Sequence, residues 1–184
     1  DPANTYPGGP SARSRLDRDV LALSGVGTVI WLEGINDFSK LGDETADKVM
    51  ETLQDGVAHL RKSNPGLRIL GGTVISALGA TIERHGFVEQ DEKRKTLNTF
   101  IRASGLFDGV IEFDRVTFDE RTGGLKPEMV PDSTTGGPGD KLHPNRAGYV
   151  AMGHAIDLES LLPKNPPATA TTADPPASSQ RKSP

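Results

Sequence analysis

The sequence predicts an α/β protein in which a parallel β-sheet lies between two layers of helices. Three apolar, β-branched runs alternate with segments whose apolar residues recur at helical spacing. The order is helix, strand, helix, strand, helix, strand, helix, and this alternation implies right-handed crossovers between parallel strands. Polar segments follow the first and third runs, at the edge where sites of open α/β sheets gather. Three strands are fewer than such a sheet usually has.

The amino-terminal part of the chain predicts two helices and one strand. Residues 1–10 are rich in proline and glycine and indicate an irregular lead-in. Residues 11–23 place their apolar side chains on one face of a short helix. Residues 28–32 form a continuous apolar run, which is typical of a strand covered on both faces. Asp43 is the expected N-cap of a longer helix, which residues 64–66 (Asn-Pro-Gly) end.

The middle of the chain predicts two further strands around one helix. Residues 67–74 and 107–113 are the strand candidates. Between them, residues 90–104 predict a helix with Leu97 among its inward residues and a charged outer face. Residues 115–139 have no clear period and predict a long loop, which in a compact domain is usually functional or disordered.

The carboxyl-terminal part predicts one helix and a tail. Asn145 is the expected N-cap of a helix that runs to about Leu162. Its predicted buried side comprises Ala147, Val150, Ala151, Leu158, Leu161 and Leu162. Residues 163–184 hold six of the fourteen prolines and no large apolar residue, which predicts a disordered tail. The expected domain therefore spans residues 11–162.

Composition excludes several classes of function. A formal net charge of −4 and no run of basic residues argue against a nucleic-acid partner. The absence of cysteine excludes disulfides and thiolate metal sites. No segment approaches the roughly 18 apolar residues of a membrane span. A flavodoxin-like nucleotide-binding or signalling domain is disfavoured because no glycine-rich phosphate loop is present, and no cofactor is expected.

Two polar motifs indicate where chemistry takes place. Asp140 and His143 stand three residues apart in a glycine-rich loop before the last helix, as a carboxylate that orients an imidazole would. Gly34, Asn36 and Asp37 follow the first strand. From the residues alone, the second motif also suits ordinary turn chemistry, and the first suits a loop with an N-cap. Asp37, Asp140 and His143 are weak candidates for metal ligands, since no further ligand spacing accompanies them.

Together the two motifs resemble those of the SGNH, or GDSL-type, ester hydrolases. That family has Gly-x-Asn-Asp after its third strand and Asp-x-x-His-Pro before its last helix. Residues 34–37 (GIND) and 140–144 (DKLHP) match these motifs. The segments LDRDVL, FDGVIEFD and HPNRAGYVAMGHAIDL are most similar to the branch of acylhydrolases that resemble xylan esterases. The resemblance covers residues 11–162.

The resemblance implies a role for each matched residue. His143 would be the general base and later the general acid, and Asp140 would fix its tautomer. Asn36 would donate its side-chain amide to the oxyanion, with Gly34 and Asp37 as supporting residues of the motif. The implied substrate is an acylated carbohydrate or another small ester, and secretion is favoured.

One part of the family pattern is missing from this sequence. The family carries its serine in Gly-Asp-Ser after the first strand, and Ser11, Ser14 and Ser24 lack that context. The resemblance therefore implies a carboxyl-terminal portion that lacks the first two strands, with the nucleophile supplied by sequence before Asp1. The alternative is a catalytically inactive fragment or a binding module of the same fold. With its neighbour absent, the strand at residues 28–32 is expected to have a free edge through which the chain self-associates.

Overall fold

A computed structural model describes residues 9–162 and shows a three-stranded parallel sheet with helices on both faces. The strands are β1 (Thr28–Trp31), β2 (Arg68–Gly72) and β3 (Gly109–Ile111), in that order across the sheet. The α-helices are α1 (Ala12–Leu16), α2 (Ala46–Ser63), α3 (Val88–Ala103), α4 (Phe113–Thr117) and α5 (Arg146–His154). The predicted α/β class with a three-layer parallel sheet is confirmed. The predicted tail at 163–184 and most of the lead-in lie outside the described residues.

Side chains that alternate along the strands divide between two cores. Trp31 and Ile69 point to the face covered by α1, α2 and α3. Leu70 and Ile111 point to the opposite face, where Phe113 of α4 and Met152 of α5 pack against them. Parallel register pairs Ile30 with Leu70, so Ile30 belongs to this second face. Each face is therefore closed by its own set of helices.

Close approach of α2 to β1 depends on a glycine. A Cβ atom built on Gly56 would lie 2.5 Å from the indole atom Cη2 of Trp31. Trp31 is 7% exposed, so it is a core residue beneath α2. A glycine inside a helix lowers stability by about 0.5–1 kcal/mol relative to alanine. At Gly56 the missing side chain makes room for the indole of Trp31.

Two helices begin differently from their sequence predictions. The predicted N-cap Asp43 is wrong, because Asp43 lies at φ +46° in the preceding turn. Thr45 caps α2 instead, with its hydroxyl accepting from the Lys48 amide. The first helix begins at Ala12 and continues from Asp17 to Leu21 as a π-helical turn.

The carboxyl-terminal elements are shorter than predicted. β3 has only three residues, because the chain turns at Glu112 into α4, which was not predicted. Asn145 caps α5 as predicted, but the helix ends at His154 and a 3₁₀ turn follows at Leu158–Leu161. The predicted loop at residues 115–139 also contains a 3₁₀ turn, Pro127–Met129.

The buried side predicted for the last helix is largely wrong. Val150 is 48% exposed, Leu158 is 73% exposed and Leu162 is 57% exposed. The helix packs instead through Gly148 and Met152. A Cβ atom on Gly148 would lie 2.5 Å from Cβ of Pro144, so the absence of a side chain lets α5 begin against its own preceding loop.

β1 has one free edge. It pairs with β2 on one side, and on the other side no described residue pairs with it. Ile30 is 38% exposed and Leu32 is 37% exposed beside this edge. A groove of about 240 Å³ follows the strand, and its lining includes Leu16 of α1 and Val20 of the π-helical turn that follows.

Candidate active site

The motif after β1 is a tight turn anchored by a glycine. Gly34 lies at φ +128°, a conformation that L residues rarely adopt. A Cβ atom there would also stand 2.7 Å from Cδ2 of Leu97 on α3. Beyond it, the Asn36 carbonyl accepts from the amide and hydroxyl of Ser39, at 3.1 and 2.7 Å. The turn thus fixes the Asn36 backbone and leaves its side chain exposed.

The second motif forms a hydrogen-bonded carboxylate and imidazole. Oδ2 of Asp140 lies 2.6 Å from Nδ1 of His143. Oδ1 of Asp140 accepts from the amides of Leu142 and His143, each at 2.8 Å. Lys141 lies at φ +59°, which turns the backbone so that the ring folds back onto the carboxylate. Asp140 is buried, whereas the His143 side chain is 46% exposed.

Asp140 is held in its charged form. Burial acts to raise the pKa of Asp140, but hydrogen bonds from the His143 ring and from the His143 and Leu142 amides outweigh it, and the pKa is lowered. A carboxylate that accepts from Nδ1 leaves Nε2 of a neutral imidazole without a proton. The exposed edge of His143 is then a base.

Asn36 and His143 line the same cleft at the carboxyl end of β1. The cleft has a volume of about 260 Å³. Its lining residues are Leu32, Glu33, Gly34, Ile35, Asn36, Val74, Ile75, Leu142, His143, Pro144, Tyr149 and Met152. Asp37 and Asp140 are not among the lining residues. None of these lining residues is a serine. The described part of the chain therefore presents no serine nucleophile in the cleft.

The cleft wall contributed by Val74 depends on buried polar groups of α3. Oδ1 of Asn98 accepts from the Val74 amide at 2.7 Å, and Nδ2 of Asn98 donates to the Val74 carbonyl at 2.9 Å. Arg94 donates to the same carbonyl at 3.1 Å and pairs with buried Asp91. The prediction placed charged residues of this helix outside, and for Arg94 and Asp91 that prediction is wrong. The available signal was the helical spacing, since Asp91 precedes Arg94 by three residues and Arg94 precedes Leu97 by three.

Two acidic strand-end residues differ in their positions. Glu33 lines the cleft. Asp114 lies away from it and accepts from Thr73 at 2.8 Å, from Asn98 at 3.0 Å and from Arg102 at 2.6 Å. Burial acts to raise the pKa of Asp114, but Arg102 and Thr73 outweigh it and lower the pKa. Asp114 therefore joins strand ends to α3.

Two other kinds of site are absent from residues 9–162. No three His, Cys, Asp or Glu side chains of this range cluster as metal ligands would. No helix in this range is long and apolar enough to cross a membrane.

The fold and cleft together define an α/β protein with a histidine–carboxylate pair at the carboxyl edge of a parallel sheet. The GDSL-like lipase/acylhydrolase family model matches residues 2–151, and the chain belongs to that family. Membership of this family supports an ester hydrolase function. No curated protein sequence matches the chain.

Solved structures have the same fold. A GDSL-like lipase from Bacteroides thetaiotaomicron aligns with a TM-score of 0.66 at 18% identity, over 80% of this chain and 68% of that one. A putative acylhydrolase from Bacteroides fragilis aligns with a TM-score of 0.66 at 18% identity, over 80% of this chain and 67% of that one. At this identity the likeness concerns the fold alone.

Proposed function

We propose that the protein is a serine-type ester hydrolase in which His143 is the base and Asp140 its orienting partner. The observation that carries this proposal is the 2.6 Å contact between Nδ1 of His143 and Oδ2 of Asp140, in a cleft shared with Asn36. Nε2 of His143 would take the serine proton during attack and return it to the departing alkoxide. Asp140 stays ionised and stabilises the imidazolium.

Asn36 is the proposed side-chain donor to the oxyanion. Its backbone is fixed by Ser39, so its amide is presented from a rigid turn. A preorganised donor of this kind stabilises the charge that develops on the carbonyl oxygen, and losing one typically costs about 10²–10³ in rate. Gly34 makes the turn possible, and Asp37 is the last residue of the motif.

We further propose that the nucleophilic serine is carried by another strand, in sequence preceding Asp1. A strand added in parallel to the free edge of β1 would end at the same sheet edge as Glu33 and Gly34, beside the cleft. The groove along β1 offers an apolar wall for it. Among the described serines, the buried Ser76 is engaged elsewhere, since its hydroxyl donates to the Gly123 carbonyl at 2.7 Å and accepts from the Leu78 amide.

The proposed substrate is an acylated carbohydrate or another small ester. Support comes from the cleft, where apolar side chains such as Ile75 and Leu142 surround His143 and suit an acyl group. The similarity to acylhydrolases that resemble xylan esterases points to the carbohydrate.

A binding module without turnover is the second candidate, because no serine lines the cleft. Fluorophosphonate labelling separates the two. We expect no labelling of the 184-residue chain and labelling of a form that carries the upstream strand. A labelled serine within this chain would contradict the proposed source of the nucleophile, and an unlabelled extended form would favour the binding module.

A further inference from the structure

A loop at residues 79–87 is bonded to both halves of the candidate site. The amide of Thr81 donates to the Asp140 carbonyl at 2.9 Å. The carbonyl of Arg84 accepts from the amide of Lys40, in the turn that follows Asn36, at 3.1 Å. None of residues 79–87 lines the apolar cleft. The loop therefore connects the backbone at Asp140 with the turn that follows Asn36, outside the apolar cleft.

A buried amide fixes this loop. Gln90 is 1% exposed, and its Oε1 accepts from the Gly86 amide at 2.9 Å. Its Nε2 donates to the Ile35 carbonyl at 3.1 Å and lies 2.8 Å from Nδ1 of His85. Since the Gly86 N–H only donates and the Ile35 carbonyl only accepts, the two ends of the Gln90 amide are assigned.

The same bonds assign the tautomer of His85. The NH₂ of Gln90 faces Nδ1 of His85, so Nδ1 must accept and the proton of the neutral ring must be on Nε2. No described residue accepts a hydrogen bond from Nε2, and the side chain is partly exposed. Burial lowers the pKa of His85, His143 and Arg84 lower it further, and Asp140 opposes them, so the ring is neutral at neutral pH. His85 thus presents one N–H donor from a loop whose backbone is bonded to Asp140 and to Lys40.

The chemistry of the proposed reaction places the alcohol portion of the ester on this side. His143 must return its proton to the leaving oxygen, so that oxygen lies against Nε2 of His143. The apolar cleft takes the acyl group, which directs the alcohol towards the loop at residues 79–87.

We propose that His85 is a specificity-determining residue of the proposed hydrolase, on which this inference rests. Its Nε2–H donates to a hydroxyl or ether oxygen of the alcohol portion. The favoured substrate class is an ester whose alcohol portion carries further oxygens, as opposed to a simple alkyl ester.

The test uses the 184-residue chain and needs no turnover. We would titrate it, with NMR detection, against N-propylacetamide and its dihydroxylated analogue, two amides that share an acetyl group. Imidazole ¹⁵N shifts should first show His85 unprotonated at Nδ1 and protonated at Nε2. The dihydroxylated amide should bind about tenfold more tightly, as expected for one additional hydrogen bond, and should shift the Nε2 resonance of His85.

Two variants provide the matched control. His85→Phe should abolish the preference between the amides, whereas His85→Gln, which retains an N–H donor, should keep most of it. The opposite tautomer, equal affinities in the unmodified chain, or a preference that persists in His85→Phe would each overturn the inference. If the chain prefers the dihydroxylated amide but its extended form hydrolyses no ester, the proposed function alone is contradicted. An active hydrolase without the preference contradicts only the role of His85.

Discussion

The two faces of the sheet are packed very differently. On the face covered by α1, α2 and α3, twelve buried apolar residues form one cluster. On the face covered by α4 and α5, the buried cluster has four members. Ile30 and Leu32, on the thinly covered face, remain more than a third exposed. Stability is therefore concentrated on one face of the sheet.

The candidate site stands where these two faces meet. Gly34 is pressed against Leu97 from the well-packed face. His143, by contrast, shares its cleft with Met152 from the thinly packed face. The difference suggests that chemistry and stability are carried by separate residues, which substitutions on each side can test.

The largest expected effect is on catalysis. In a form extended by the proposed upstream strand, His143→Ala should lower kcat for p-nitrophenyl acetate by at least about 10³-fold, since the proposed base is lost. His154→Ala is the control, because His154 lies exposed at the end of α5. Steady-state hydrolysis rates measure both, and equal losses would defeat the assignment of His143.

The next largest expected effect is on the free energy of unfolding and concerns residues outside the candidate site. Leu60 is 0% exposed in the well-packed core, so Leu60→Ala should lower the free energy of unfolding by about 2–5 kcal/mol. Leu158, 73% exposed on the other face, should lose less than about 0.5 kcal/mol on the same change. Urea unfolding measures both, and similar losses would contradict the placement of Leu60 in the core and of Leu158 on the surface.

Acid should reveal the contribution of Asp140. Its pKa is lowered in the folded chain, so it contributes stability above its unfolded pKa of about 3.9. This contribution is lost as the pH falls through the folded pKa. Unfolding free energy, measured over a pH series below about pH 4, should therefore fall less steeply in Asp140→Asn than in the unmodified chain. Parallel curves would show that Asp140 is not charge-stabilised.

The smallest effect concerns association through the free edge of β1. The 184-residue chain should sediment faster as its concentration rises, and Ile30→Lys should suppress this, because a lysine beside an edge strand disfavours pairing. Val110→Lys is the matched control: Val110 is 37% exposed on β3, at the other edge of the sheet. Analytical ultracentrifugation measures the concentration dependence of sedimentation for both variants. Equal suppression by the two lysines would argue against β1 as the contact.

The strands and both motifs could be predicted from the pattern of neighbouring residues in the sequence. The apolar run before Gly34 predicts a buried strand because its residues have no polar face, and a strand end is where sites gather. The juxtaposition of Asn36 and His143 followed from that placement, and the structure shows both in one cleft. Their catalytic roles stay predictions.

Backbone turns and long-range contacts decided what the apolar pattern of the sequence missed. Thr45 caps α2 instead of Asp43 because the backbone at Asp43 is already turned to positive φ. The spacing of apolar residues could not show which side of α5 is exposed. An apolar face is predicted to be buried only on the assumption that another element packs against it. Likewise, Gln90 acquires its role from bonds to Ile35, 55 residues away in sequence, and no local rule reports such a pair.

Trp31 gives the molecule an intrinsic optical reporter. It is the only tryptophan of the chain, it lies in the strand with the free edge, and its indole is buried beneath Gly56. The emission spectrum should therefore be shifted to the blue while α2 remains in place. The same fluorophore will sense a chain segment that settles alongside β1, so addition of an upstream peptide can be followed without any label.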